Sequence, residues 1–489
     1  MEPGVVSRRQ TLRTAGVAGV VALAGCTGGS DDDGNGEETE GETTEPDDSD
    51  AITIGVMQDV TAANGPEFAH QGLAGLLSGL AYKNNQDSPK QLGDGPVDPE
   101  PSGVMEDLVG ETLRYTVEDV DSVGDVEFEL LIRDTESDAQ TAGEVASTLL
   151  SEYDIDIFYG LSSSNGLERV NNTILDQTDV PLFVGQASTS SVTADSDRCR
   201  EQLFRATANT AMTSRAGAIS LVEDFDVERV AMFGAETSLG RDVLENYGRI
   251  FDAEDDIEIV TEEFVSVGQT EWEPQLTAAE DAGADVVIYG FTGQTGSFFA
   301  EEFVQGGYDM DAFGQAPSRL TFRGIGEDVL GFIEQFGGDE ITEQIVEALP
   351  FGPVSCRYFW NQYDNEINDW LVENHTEVYG VVPDLFTSSA FTSASAFVQA
   401  FEQAGEASPD AILQEVPGMA VEATPKGRGE YVFQEYNNQA RSPITIAHFQ
   451  PAEEENWPAA LQPSEPTEFV DKDLTTIPQD DPNMTCDLS

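Results

Sequence analysis

Positive charge is what this sequence has least of. Against 93 acidic residues stand 22 lysines and arginines, for a formal charge of −71, and only four of the basic residues are lysines: Lys83, Lys90, Lys426 and Lys472. A surface of that sign repels polyanions, so no nucleic-acid partner is expected. It also repels itself, unless molar salt shortens the Debye length to about 3 Å. The composition therefore reads as halophilic, adapted to concentrated salt. A cation store is disfavoured, because the acids do not fall into the spaced oxygen-ligand loops of calcium sites. Histidine and cysteine are scarce too. His70, His375 and His448 are widely scattered and the four cysteines fit no zinc spacing, so neither metal nor cofactor is expected. No nucleophile elbow, Walker loop, complete GxGxxG, HExxH or CxxC occurs, and Gly324-Ile325-Gly326 is followed by Val329 where a third glycine belongs. These absences disfavour an enzyme.

The sequence also lacks an apolar run long enough to span a bilayer near its start. The stretch Ala15 to Ala24 is short and rich in small residues, follows Arg8-Arg9 and leads into Leu23-Ala24-Gly25-Cys26. The arginine pair resembles a twin-arginine (Tat) signal, although Thr11 stands where a large apolar residue is expected. Leu-Ala-Gly-Cys resembles a lipobox, whose processing leaves the cysteine N-terminal with lipid on its sulfur. Residues 1–26 thus read as an export signal peptide with lipidation at Cys26, and the chain as a lipoprotein anchored at the outer face of the cell membrane. A short buried helix opening a cytosolic domain is the alternative. Residues 27–50, almost wholly Gly, Ser, Thr, Asp, Glu and Pro, read as an acidic disordered tether. In an oxidising compartment Cys199, Cys356 and Cys486 should give one disulfide and one free thiol, by any of three pairings.

Roughly 410 residues then precede a polar tail starting near Pro463, more than one hydrophobic core usually supports. Apolar runs of strand length at Ile52-Met57, Glu127-Arg133, Ile155-Gly160, Val180-Gly185, Arg229-Phe233, Glu258-Phe264 and Val286-Phe291 alternate with helical stretches. The expectation is an α/β protein of two lobes, each a doubly wound parallel sheet with helices on both faces. In such sheets ligands sit beyond the carboxyl ends of the strands. The loops to watch are therefore 58–68, 160–166, 185–191, 234–240 and 290–296, the last carrying Phe291. The stretch 84–111, poor in apolar residues, reads as a surface insertion.

Several of these loops carry a family likeness. Tyr159-Gly160-Leu161-Ser162-Ser163-Ser164-Asn165, Val180-Pro181-Leu182-Phe183, Gln186-Ala187-Ser188-Thr189, Asp134-Thr135, Phe204-Arg205-Ala206-Thr207, Ser238-Leu239-Gly240 and Gly283-Ala284-Asp285-Val286-Val287-Ile288-Tyr289-Gly290 occur in family order. Together they resemble the Leu/Ile/Val-binding proteins, type I periplasmic solute-binding proteins of branched-chain amino acid and amide ABC transporters. The resemblance implies a three-segment hinge crossing near Thr207, Pro353 and Gly429. Lobe 1 would hold residues 51–206 and 354–429, lobe 2 residues 207–353 and 430–462, with 463–489 as the tail. It implies a small-molecule solute as ligand and an ABC permease and ATPase complex as partner; a ligand-sensing receptor subunit, or an extracytoplasmic enzyme on the same lobes, is the alternative.

Carried over by position, the ligand-binding residues are Ser162 or Ser163, Ala187 through its backbone, and Thr189, with Phe68 as an aromatic wall. A serine-rich turn that satisfies its own backbone is the competing account of these hydroxyls. In lobe 2, Leu239 stands where the family has a covering aromatic. Gln315, in Gly314-Gln315-Ala316-Pro317, stands where amino-acid binders have an acid for the ammonium. That departure points to an amino acid, an amide or a related carboxylate without settling which.

Overall fold

The computed structural model describes residues 51–489, apart from 63–64, 86–87, 94–101, 225–226, 253–256, 292–293 and 336–337. The expected signal peptide, Cys26 and the tether lie outside the described residues, as does part of the 84–111 insertion.

Two sheets organise the chain. The first takes β1 (Ile52–Gln58), β2 (Thr112–Val120), β3 (Gly124–Asp134), β4 (Ile157–Gly160), β5 (Leu182–Val184) and β6 (Leu203–Phe204), in the order β2-β3-β1-β4-β5-β6. The second takes β7 (Arg229–Ala235), β8 (Glu258–Val265), β9 (Val286–Gly290), β10 (Asp311–Gln315), β11 (Phe351–Cys356), β12 (Ile444–Ala447) and β13 (Glu468–Val470), in the order β13-β12-β11-β10-β9-β7-β8. The central pairings are parallel, because βαβ crossovers cover both faces and leave central strands such as β1 almost wholly buried. Both sheets end antiparallel, at β2 in the first and at β12 and β13 in the second, so neither is purely parallel.

The helices start where short polar side chains cap them. Asp138 caps α2 (Ala139–Glu152), Ser163 caps α3 (Ser164–Thr173) and Thr237 caps α5 (Ser238–Phe251), each accepting a backbone N–H of the first turn. Among the described residues the most extensive helix–helix contact joins α1 (Gly65–Lys83) to α7 (Thr387–Ala404) in the first lobe. Side chains at Gly75 and Gly79 would put Cβ atoms 2.6 Å from the Thr387 carbonyl oxygen and 2.4 Å from that of Phe391. Only glycine lets the two backbones approach this closely.

The chain passes between the lobes where β6 leads into α4 (Thr210–Asp224), beyond Cys356 at the end of β11, and between Arg441 and Ile444. The resemblance implied crossings near Thr207, Pro353 and Gly429. The second comes later because Pro353 is inside β11, whose neighbours Val354 and Ser355 pair with β12. The third comes later still, because Tyr431, Phe433 and Ala440 pack in the core of the first lobe. Gln439 ties these segments together: its side-chain oxygen accepts from Arg205 Nε at 2.6 Å, and its nitrogen donates to the carbonyls of Arg205 and Thr207.

The residues beyond Pro463 are not a detached polar tail. They add β13 to the second sheet and then return to the first lobe, where Cys486 is disulfide-bonded to Cys199, leaving Cys356 buried and free. Burial pushes the Cys356 thiol up to about 12, so it is an inert core residue.

Candidate ligand-binding cleft

Between the lobes lies a cavity of about 360 Å³, within the range of small-molecule sites. The loops that shape it depend on close backbone contact. Gly160 has φ +121, and a Cβ there would sit 2.0 Å from the Met57 carbonyl oxygen. Leu161 follows in the left-handed region at φ 69, and its carbonyl oxygen accepts the N–H groups of Gln186 and Ala187 at 3.2 and 3.0 Å. This strained turn sets Ser162 beside Gln186, to whose Oε1 the Ser162 hydroxyl donates at 3.0 Å. In the second lobe Ala316, at φ 44, turns the chain after β10 and presents Gln315 and Pro317 to the cavity.

Of the residues expected from sequence, Phe68, Ser162, Leu239, Phe291 and Gln315 line the cavity and are brought together from both lobes. Ser163, Ala187 and Thr189 are not at its wall, and each is occupied locally. Ser163 caps α3, the Ala187 N–H is taken by Leu161, and the Thr189 hydroxyl shares a 3.1 Å hydrogen bond with Ser191 Oγ. The carbonyl of Thr189 accepts from the buried Arg205, and its N–H donates to Ser164 Oγ at 3.2 Å. For Thr189 the self-satisfied turn is the account that fits. Thr189→Val should therefore cost about 1 kcal/mol of stability and leave solute affinity unchanged. Melting curves beside calorimetry check this; an affinity drop of tenfold with an unaltered midpoint would return Thr189 to the site.

Sequence reasoning missed Tyr289, Phe386 and Arg357, all of which line the cavity. Phe386 packs edge-on against Phe68 at 5.3 Å, and Tyr289 stacks on Phe291 at 5.4 Å. Arg357 follows β11 directly, is 6% exposed, and has its guanidinium carbon 5.6 Å from the Phe386 ring centroid. The available signal was the scarcity of cations: an arginine at the end of an apolar strand is an unusual use of one.

Contacts between lobes close the cleft. The Asp242 carboxylate on α5 accepts from Ser190 N at 2.8 Å and Ser190 Oγ at 2.6 Å, and burial pushes its pKa up to about 6. The Ser238 hydroxyl donates to Asn165 Oδ1 at 2.7 Å. Arg319, the first residue of α6 (Arg319–Glu334), pairs across the gap with Glu67 on α1 and lies 3.7 Å from Asp384. Among the described residues, no group of three or more His, Cys, Asp and Glu side chains is placed to hold a metal ion. No described helix is long and apolar enough to cross a membrane.

Two α/β lobes, three crossing segments and a cavity walled by both define a hinged binding protein. The chain belongs to the periplasmic binding protein family, which it matches over residues 51–454. Its fold is that of the type I, leucine/isoleucine/valine-binding kind. An amino acid ABC transporter substrate-binding protein from Pseudomonas fluorescens superposes with a TM-score of 0.67 at 15% identity, covering 90% of this chain and 99% of that one. A leucine-binding protein from Thermotoga maritima gives 0.63 at 15% identity, covering 86% and 99%. A Rhodopseudomonas palustris ABC transporter solute-binding protein in complex with 3,4-dihydroxybenzoic acid gives 0.62 at 15% identity, covering 87% and 98%. No curated protein matches the sequence significantly. At these identities the likeness is one of fold.

Proposed function

We propose that this chain is the extracytoplasmic substrate-binding lipoprotein of an ABC importer. It captures a small polar solute by closure of its lobes and presents it to a membrane permease and its ATPase. The carrying observation is the cleft itself: about 360 Å³, walled by Phe68 and Ser162 from one lobe and Leu239, Phe291 and Gln315 from the other. A solute touching both lobes gains contacts only in the closed form, and so shifts an open–closed equilibrium toward it. The Tat-like signal, the lipidated Cys26 and the acidic tether supply export and anchoring in this reading, and the charge of −71 suits a halophilic cell surface. The ligands of the structural neighbours, amino acids and an aromatic carboxylate, bracket the solute class.

The test is a solute screen by thermal unfolding in molar KCl, with amino acids, amides and carboxylates as probes. A true ligand should raise the midpoint with concentration, adding about 2.7 kcal/mol of stability at a hundredfold excess over Kd. A midpoint unmoved by every member of the panel would count against a solute-binding role.

A further inference from the structure

We propose that Arg357 is the anion anchor of the cleft and that the solute is a carboxylate with a planar apolar body and no ammonium group; this rests on the solute-binding reading above. The starting observation is a buried cation without an ion-pair partner among the described residues. In a chain of net charge −71 carboxylates are abundant, yet no described one forms an ion pair with Arg357, and its Nε has no hydrogen-bond acceptor. Its neighbour in kind, Arg205, is just as buried but fully engaged. Arg205 donates from Nε to Gln439 Oε1, from Nη1 to the Thr189 carbonyl and from Nη2 to Thr193 Oγ1. Arg205 is therefore structural.

Arg357 instead lines the cavity, with its guanidinium over the ring of Phe386. Burial pulls its pKa down to about 10, which leaves it cationic at neutral pH. A buried guanidinium whose Nε lacks an acceptor is a poor resident of a core and a good receptor for a planar carboxylate, which a guanidinium engages through two parallel N–H···O bonds.

The remaining wall narrows the class. Phe68, Phe386, Tyr289 and Phe291 offer aromatic surfaces on both lobes, suited to a flat apolar body. Among the described residues only Glu327 brings a carboxylate to the wall, and it is exposed to solvent. An ammonium entering the cleft would find a buried cation and no buried anion. An α-amino acid should accordingly be a worse ligand than the matching acid without its amine.

Calorimetry on the full chain in molar KCl, with 4-hydroxybenzoate, 4-hydroxybenzamide, leucine and tyrosine as probes, tests this. The expected result is binding of 4-hydroxybenzoate at least tenfold tighter than of its neutral amide or of either amino acid. Arg357→Met should weaken the acid about a hundredfold and leave the amide unchanged, with Arg357→Lys between the two. Should Arg357→Met fail to fold, the acid-against-amide comparison on the unaltered protein decides. Equal affinity for acid and amide, or tight binding of leucine or tyrosine that ignores Arg357, would overturn the anchor and leave the solute-binding reading standing. No binding by any probe would overturn the anchor; only the wider screen, failing as well, would remove the solute-binding role.

Discussion

Transfer from molar salt to about 0.1 M should cost the folded domain its cooperative structure. The net stability of a domain is about 5–15 kcal/mol. Lengthening the Debye length from about 3 to about 10 Å brings each exposed carboxylate into range of several others. An added repulsion of only ~0.1 kcal/mol per acidic side chain, over the 81 of residues 51–489, is then comparable to that whole margin. The acids are placed to repel. On the edge strand β8, Glu258, Glu262 and Glu263 are exposed, and Glu271, Glu273, Glu280 and Asp281 are exposed on and just before the neighbouring helix Glu273–Asp281. Surface pairs such as Arg229 with Glu258, at 2.7 Å, offset little of this, since an exposed pair contributes about 0–1 kcal/mol and basic residues are few. Far-ultraviolet circular dichroism and melting curves along a KCl series provide the measurement. A spectrum and midpoint unchanged from molar to about 0.1 M salt would refute the halophilic reading.

What could be read from the sequence follows from which interactions are local. Strands β1, β7 and β9 were legible because a strand buried on both faces is a near-continuous apolar run. The later crossings were misplaced because distant partners fix them. Pro353 looks like a break in a strand, yet β11 continues past it as Val354 pairs with Ala447. Gly429, with φ +69, marks a turn within the first lobe and not an exit from it. The strand Glu468–Val470 is three residues long in polar surroundings, and only pairing with β12 makes it a strand. In the site, residue types near Ser162 could be recognised, but not whether their donors were already spent. Ser163, Ala187 and Thr189 all spend them locally. Arg357 was hidden for the converse reason: its meaning lies in partners that are missing, and a linear sequence does not display a missing neighbour.

Arg319→Met should be the most damaging single substitution in the interlobe contact. The Arg319 side chain is 2% exposed, and its partners Glu67 and Asp384 are 5% and 1% exposed. Two acids from the first lobe thus share one guanidinium from the second, while Gln71 donates to Asp384 Oδ2 at 3.2 Å. Removing the cation leaves two buried carboxyls facing each other, a loss of about 3–5 kcal/mol for a broken buried pair. Because the contact spans the gap, the loss should fall on the closed form, as a weaker solute affinity, more than on either lobe alone. The pH dependence follows from Asp384, whose pKa burial raises to about 7, with Arg319 pulling it down and Glu67 pushing it up. A carboxyl raised in the folded state takes up a proton on folding, so its contribution is full below the unfolded value near 4 and is lost as pH climbs through about 7. Arg319→Met should therefore cost more at pH 8, where Asp384 is driven to ionise, than at pH 5, where Asp384 is already protonated and needs no cation. Adding Asp384→Asn and Glu67→Gln to Arg319→Met should recover most of the loss at pH 8, since a neutral trio leaves no charge unpaired. Molar salt should not substitute for the guanidinium, because a buried site is poorly screened. Melting curves and solute titrations of the three proteins at both pH values decide the matter. An Arg319→Met defect of equal size at pH 5 and pH 8, or one left unrelieved by neutralising both acids, would show that Arg319 acts through packing and not through its charge.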